Sequence, residues 1–135
     1  MYSVEVKLRV RYGETDKMGY VYHGNYPQYY EVARVEWMRS LGMSYKEVED
    51  DGIIMPVIDM RLKYLAPAFY DEELVIRASV REMPATRILF HYEVFNQVGK
   101  LINEGENTLV FVNAETRRPL RLPERMKSKL LPYFN

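Results

Sequence analysis

The sequence contains no cysteine. This excludes disulfide bonds, thiol catalysis, and zinc or iron–sulfur sites that use cysteine ligands. Its 19 Lys and Arg are balanced by 19 Asp and Glu, so the chain lacks the cationic surplus that contact with nucleic acid phosphates requires. No apolar run approaches the ~20 residues that span a bilayer, and a secretory signal would need an unbroken apolar N-terminal stretch. We therefore expect a cytoplasmic protein without a transmembrane segment or a nucleic acid partner.

Histidine is also scarce. His23 and His91 are the only two in the chain, and they stand far apart in the sequence. Neither has His, Asp or Glu neighbours at the spacing that metal ligands show. We therefore expect no catalytic metal ion.

Apolar and aromatic residues are abundant. Of the 135 residues, 47% are hydrophobic and 12 are Tyr, enough for a packed core, so the composition excludes global disorder. The length suits one ordinary domain and is too short for two. We expect a single domain over residues 1–135.

Alternation of apolar and polar residues predicts several strands. Residues 4–11 alternate strictly, which places Val4, Val6, Leu8 and Val10 on one face and charged side chains on the other. Similar patterns predict strands over 58–64, 74–80, 88–94 and about 101–112. A hairpin turn is expected at 97–100, and an extended piece lies between Pro119 and Pro123.

One long helix is predicted early in the chain, from about Asn25 to Leu41. Asn25 is a suitable N-cap residue, Pro27 falls in the first turn, and Gly42 is a natural stop. Shorter helices are predicted over about 44–51, with a Ser44 cap, and over 124–131. An apolar stripe on the long helix contains Tyr26, Tyr29, Tyr30, Ala33, Trp37 and Leu41. The order of elements indicates an α+β fold in which an antiparallel sheet covers this helix.

The loop over residues 12–24 is the candidate for chemistry. A helix N-terminus offers free N–H groups that can polarise a carbonyl and stabilise an oxyanion. Asp16 lies in this loop, and its carboxylate could act as a nucleophile or as a general base on water. His23 lies directly before the helix, and Gly19 and Gly24 allow close backbone approach to a ligand.

Three segments resemble one known family. The first has the pattern Tyr12-x3-Asp16-x2-Gly19-x-Val21-Tyr22-His23-Gly24-Asn25-Tyr26, the second is Tyr-Leu-Ala-Pro-Ala-Phe-Tyr-Asp at 64–71, and the third covers 111–123. In this order they are similar to hotdog-fold acyl-CoA thioesterases of the 4-hydroxybenzoyl-CoA thioesterase/YbgC type. Two positions depart from the family pattern: Tyr20 replaces a small aliphatic residue or a histidine, and Asn113 stands where Asp is more common.

The resemblance implies a hotdog fold, a sheet wrapped around the long helix, in homodimers that join sheets edge to edge and often assemble into homotetramers. Active sites then lie at the dimer interface. Asp16 matches the essential carboxylate, Tyr12 and His23 match implicated side chains, and the His23 N–H, with Gly24, matches the oxyanion donor. The substrate is an acyl-CoA, and no separate cofactor is expected. The predicted substrate contacts are Gly19, Val21, Asn25, Tyr26, Tyr30 and Tyr64.

The C-terminal segment is basic, with six Lys and Arg against two Glu from residue 115 onward. Arg117, Arg118 and Arg121 are predicted to contact the phosphates of coenzyme A, because guanidinium groups suit phosphate oxygens. The alternative is a solvated face.

Other functions stay open at this point. A hotdog hydratase is disfavoured, because such enzymes carry a closely spaced Asp-x-Asn-Pro-x-His motif and here Lys17 and Met18 follow Asp16. A non-catalytic acyl-CoA-binding module and a thioesterase acting on acyl carrier protein are the remaining alternatives. The residues do not distinguish a nucleophilic Asp16 from a general base.

Overall fold

The structure, a computed structural model, describes residues 1–134. Two short 3-10 turns, Tyr12–Glu14 and His23–Asn25, lie in the loop before the long helix, and a third covers Leu131–Tyr133. The helices and strands, in chain order, are β1 (Tyr2–Arg9), α1 (Tyr26–Ser40), α2 (Tyr45–Asp50), β2 (Ile53–Ile54), β3 (Val57–Tyr64), β4 (Glu73–Val80), β5 (Arg87–Phe95), β6 (Leu101–Asn113), β7 (Pro119–Leu120) and α3 (Glu124–Leu130).

All strands pair antiparallel in one sheet. The order β1-β4-β5-β6 continues with β3, which pairs with residues 103–109 of β6, while the short β2 and β7 pair with the C-terminal end of β6. Within residues 1–134, β3 pairs only with β6 and β1 only with β4. Each of these two strands therefore has one edge without a hydrogen-bonding partner.

Helix α1 packs on this sheet and supplies one side of the core. Tyr30 of α1 stacks on Tyr92 of β5 with ring centroids 4.2 Å apart, and Trp37 meets Phe90 edge to face at 5.0 Å. All four rings are buried. The predicted α+β architecture, with an antiparallel sheet around the long helix, is confirmed.

Gly105 permits the close approach of α1 to β6. A Cβ atom at this position would lie 2.6 Å from both the Arg61 carbonyl oxygen and the Tyr30 hydroxyl. The Tyr30 hydroxyl occupies this space and donates a hydrogen bond to Oδ1 of the buried Asn103. The absence of a side chain at 105 thus sets how deeply α1 sits on the sheet.

Several predicted boundaries shift by one or two residues. The first strand ends at Arg9 and not at Arg11, because the Arg11 N–H donates to the Glu14 carboxylate instead of a strand. The long helix begins at Tyr26, and Asn25 occupies the N-cap position as predicted, but its side chain makes no cap hydrogen bond. The Ser44 cap is confirmed: its hydroxyl accepts the Glu47 N–H at 3.1 Å.

No helix within residues 1–134 is long and apolar enough to cross a membrane.

Candidate active site

The loop over residues 12–24 is held by pairing with itself and with residues 68–69. Thr15 forms an antiparallel β-bridge with Val21, and the Asp16 N–H donates to the Tyr20 carbonyl at 2.8 Å. The Val21 N–H donates to the Ala68 carbonyl, also at 2.8 Å, and Tyr20 forms an antiparallel β-bridge with Phe69. This pairing fixes the loop beside the segment that follows β3.

Asp16 is half-buried in this loop, and its two carboxylate oxygens have different surroundings. Oδ1 accepts the N–H groups of Met18 at 2.9 Å and of Tyr20 at 3.3 Å. Gly19 closes the turn with φ +84°, a left-handed conformation that glycine adopts readily. Oδ2 has no hydrogen-bond partner among residues 1–134. One oxygen therefore shapes the loop, and the other is available for chemistry.

The helix entrance presents unpaired backbone donors. The 3-10 turn His23–Asn25 leads directly into α1, and within the described chain the N–H groups of His23 and Gly24 have no hydrogen-bond acceptor. The Tyr64 hydroxyl donates to the His23 carbonyl at 3.0 Å and fixes the turn. N–H groups at the positive end of a helix are suited to stabilise negative charge on an oxygen.

A cavity of about 320 Å³ brings these features together. Asp16 and His23 both line it, and its other walls are mainly apolar or aromatic: Met18, Tyr20, Val21, Tyr26, Tyr64, Leu65, Ala66 and Pro67. Three larger surface cavities, of about 520, 580 and 470 Å³, contain neither Asp16 nor His23. The small cavity thus combines a carboxylate and a helix entrance with a binding surface for an apolar group.

Tyr26 forms part of the cavity wall and remains protonated at neutral pH. Burial, helped by the nearby Tyr64 and Glu72, raises the pKa of its hydroxyl to about 12. Its ring also meets the Tyr64 ring edge to face at 5.6 Å. Among the described residues, Asp16 is the only one with a carboxylate side chain on the wall of this cavity.

Residues 10–130 match the family model described as the Thioesterase-like superfamily. The chain belongs to this superfamily. It is 31% identical over 121 residues to the "Putative acyl-CoA thioesterase YneP" of Bacillus subtilis, with 90% of this chain and 88% of that protein covered. It is 33% identical over 117 residues to the "Acyl-CoA thioester hydrolase YbgC" of Escherichia coli, with 87% of each covered.

A solved structure supports the same assignment. The crystal structure of the DHNA-CoA thioesterase from Staphylococcus aureus superposes with a TM-score of 0.86 at 38% identity, covering 90% of this chain and 82% of that one. The prediction of a hotdog-fold thioesterase is confirmed.

The cavity of about 320 Å³ contains five of the residues predicted for the site: Asp16, His23, Val21, Tyr26 and Tyr64. Three other predicted residues do not line the cavity but belong to the loop and helix entrance that form its wall. Gly19 forms the Asp16 turn, Gly24 carries an unpaired N–H, and Asn25 donates from Nδ2 to the Glu14 carbonyl at 2.7 Å.

The remaining predicted residues lie outside the cavity of the single chain. Tyr30 is fully buried in the core, where it hydrogen bonds Asn103. Tyr12 is 78% exposed and packs edge to face on Tyr70 at 5.6 Å. The three arginines follow the far end of β6, on exposed positions.

Glu14 is a residue that sequence reasoning missed. It is 9% exposed, and its carboxylate accepts hydrogen bonds from the Arg11 N–H, the Arg11 guanidinium and, at 3.0 Å, the Tyr29 hydroxyl. Its carbonyl accepts the Tyr22 N–H at 2.8 Å. Burial raises the pKa of Glu14, but the hydrogen bonds from Arg11 and Tyr29 outweigh it and the pKa lies below its ordinary value. Glu14 therefore joins both ends of the loop to α1.

A metal site is not formed by the described residues. Within residues 1–134 no three His, Cys, Asp or Glu side chains stand close enough together to hold a metal ion.

Proposed function

We propose that this chain hydrolyses the thioester of an acyl-CoA to the free acid and coenzyme A. The observation that carries the proposal is that Asp16 and His23, whose N–H has no acceptor within residues 1–134, both line one largely apolar cavity. The names of the Bacillus and Escherichia relatives support acyl-CoA as the substrate class.

In the proposed complex the thioester carbonyl oxygen accepts the N–H groups of His23 and Gly24. These donors stabilise the negative charge that develops on this oxygen as the carbonyl carbon becomes tetrahedral. The acyl group lies against the apolar wall, and the pantetheine arm leaves through the open side of the cavity. Asp16 Oδ2 then promotes cleavage of the thioester by one of two routes.

In the first route Oδ2 attacks the carbonyl carbon, the C–S bond breaks, and coenzyme A leaves as a thiolate that takes a proton from solvent. Water then hydrolyses the mixed anhydride and restores the Asp16 carboxylate. In the second route Asp16 removes a proton from a water molecule, which attacks the carbonyl carbon directly. The C–S bond then breaks, and coenzyme A leaves as a thiolate that takes up the proton from Asp16. Both routes use the same carboxylate and the same donors.

We propose further that the protein works as a homodimer joined through the free edge of β3. This edge ends in exposed apolar side chains, Val57 and Ile58 at one end and Tyr64 and Leu65 at the other. Both strands alternate with exposed charged side chains, Glu5, Lys7 and Arg9 on β1 and Asp59, Arg61 and Lys63 on β3, but β1 has no exposed apolar side chain. Because Tyr64 and Leu65 also line the cavity, this pairing would place a second subunit beside each site.

The test is release of free thiol from a panel of acyl-CoA thioesters with acetyl, medium-chain, long-chain and aromatic acyl groups. Steady hydrolysis of at least one class is expected. Binding of acyl-CoA without thiol release would contradict the proposal and identify a binding module. Thiol release is then measured with the preferred acyl group on acyl carrier protein and on coenzyme A, which shows which carrier the protein prefers.

A single turnover in H₂¹⁸O that places ¹⁸O in the Asp16 side chain identifies the anhydride route, whereas label in the acid alone is common to the general-base route and to attack of water on the acyl carbon of the anhydride. The anhydride route transfers ¹⁸O into the Asp16 side chain when water attacks there, or into the acid when water attacks the acyl carbon. A second turnover then carries any label from Asp16 into the product. The general-base route labels only the acid.

A further inference from the structure

The entrance of α1 is a four-residue turn whose central peptide group can take two orientations. Tyr22, His23, Gly24 and Asn25 form this turn, and the Asn25 N–H donates to the Tyr22 carbonyl at 2.9 Å. Turns closed by this hydrogen bond are mostly of type I or type II, and the two types differ by a flip of the peptide between their central residues. Here that peptide carries the His23 carbonyl and the Gly24 N–H.

The local sequence of the turn permits both orientations. A type II turn needs a positive φ at its third residue, which glycine adopts readily and other residues rarely do. The third residue here is Gly24, yet the turn is 3-10 helical and Gly24 does not have a positive φ. Contacts outside the turn therefore decide which orientation the His23–Gly24 peptide takes.

The Tyr64 hydroxyl is the contact that holds the observed orientation. It donates from β3 to the His23 carbonyl at 3.0 Å, and within residues 1–134 no other side chain donates to this carbonyl. Burial raises the pKa of the Tyr64 hydroxyl, so the hydroxyl is protonated and able to donate at neutral pH. In an α-helix the N–H of residue 27 would bond the carbonyl of residue 23, but residue 27 is Pro and has no N–H.

The orientation of this peptide decides what the helix entrance offers to a substrate. In a planar trans peptide the C=O and the N–H point in opposite directions. A His23 carbonyl fixed toward Tyr64 therefore also fixes the direction of the Gly24 N–H, which has no acceptor within the described chain. A flip would place the carbonyl oxygen where the N–H had pointed, and this oxygen would repel a developing oxyanion.

We infer that the Tyr64 hydroxyl is a positioning group of the oxyanion site, which holds the turn over residues 22–25 in the form that presents the Gly24 N–H to the thioester. The inference rests on the proposed function and deepens it, because a side chain of β3 then assembles the donor at the entrance of α1. In this role Tyr64 acts through the His23–Gly24 peptide and not on the reacting atoms.

The first test compares Tyr64→Phe with wild type on the preferred acyl-CoA. Phenylalanine keeps the ring, which meets the Tyr26 ring edge to face at 5.6 Å, and removes only the hydroxyl. Loss of one oxyanion donor lowers kcat by about 100-fold or more, so a turn that is flipped for about nine tenths of the time lowers kcat by about tenfold. We expect kcat to fall by at least this factor, with the KM and the unfolding midpoint nearly unchanged.

Tyr133→Phe is the matched control. Tyr133 is 46% exposed against 50% for Tyr64, and its hydroxyl makes no hydrogen bond within residues 1–134. Its kcat and KM should equal those of wild type. A Tyr64→Phe protein with the kcat of Tyr133→Phe overturns the inference. A raised KM at unchanged kcat also overturns it, because Tyr64 would then act by contacting the substrate.

The second test observes the turn without substrate, by nuclear magnetic resonance of the ¹⁵N-labelled protein. The amide shifts of Gly24 and the three-bond couplings that report its φ are measured in wild type and in both variants. Tyr64→Phe should move Gly24 toward a positive φ or broaden its signal through exchange between the two forms, whereas Tyr133→Phe should leave it unchanged. A Gly24 signal in Tyr64→Phe that matches wild type overturns the inference.

Failure of the proposed function is read separately, from wild type alone. No thiol release from any acyl-CoA contradicts hydrolysis itself, while the Gly24 signals report whether Tyr64 orients the turn in the absence of any reaction.

Discussion

At the scale of single residues, Glu14 is the unexpected support of the loop that carries Asp16. A glutamate in a glycine-containing loop is ordinarily solvated, and here it is buried between Arg11 and Tyr29. The only sequence signal is Arg11 three residues earlier, a spacing that many solvated pairs share. Asp16 could be proposed from the sequence because its loop carries a specific motif, whereas the partners of Glu14 depend on tertiary contacts.

Glu14→Gln tests the role of this carboxylate through pH. Because the pKa of Glu14 lies below its ordinary value of 4.5, its ionised form stabilises the fold above about pH 4.5, and this contribution is lost as the pH falls through the folded-state pKa. Glu14→Gln should lower the free energy of unfolding by about 1–3 kcal/mol at neutral pH. The difference from wild type should shrink below pH 4.5, as measured by urea unfolding followed by circular dichroism.

Glu49→Gln is the matched control, since it removes the same charge from an exposed position of α2. A Glu14→Gln protein as stable as Glu49→Gln at every pH would show that the buried contacts of Glu14 contribute nothing.

At the scale of elements, the contact of α1 with β6 depends on Gly105. Gly105→Ala should destabilise the protein by about 1–3 kcal/mol, because the new methyl group meets backbone at Arg61 and the Tyr30 hydroxyl at 2.6 Å. Gly13→Ala is the control, since a Cβ there meets nothing within 4 Å. The comparison uses the denaturant midpoints of the two variants. Equal midpoints would show that the methyl group at position 105 is accommodated without loss of stability.

The long strands and helices were predictable because burial repeats with the period of the element. β5 shows this alternation, with Ile88, Phe90, Tyr92 and Val94 all buried. β2 could not be predicted from the sequence, because a strand of two residues is too short to show an alternation of apolar and polar side chains. Its pairing depends on where β6 ends. Asn25 was assigned as a helix cap from its type, but a 3-10 turn precedes α1 and directs its side chain to the Glu14 carbonyl.

At the scale of the whole molecule, the proposed active form is a pair of subunits joined through β3. Ile58→Lys adds a charge at an exposed apolar position on the free edge of β3 and should convert the dimer to a monomer. Leu89→Lys, at an exposed apolar position of the interior strand β5, is the control and should leave the dimer intact. Sedimentation velocity measures both, and a dimeric Ile58→Lys protein would place the interface elsewhere.

The most direct measurement of the central claim is kcat/KM of Asp16→Asn against wild type on the preferred acyl-CoA. Asparagine keeps an Oδ1 that can accept the Met18 and Tyr20 N–H groups, so the loop is preserved while the carboxylate is lost. We predict a loss of about 100-fold or more with an unchanged circular dichroism spectrum and unfolding midpoint. Turnover near the wild-type value in a folded Asp16→Asn protein would contradict the assignment of Asp16 as the reacting group.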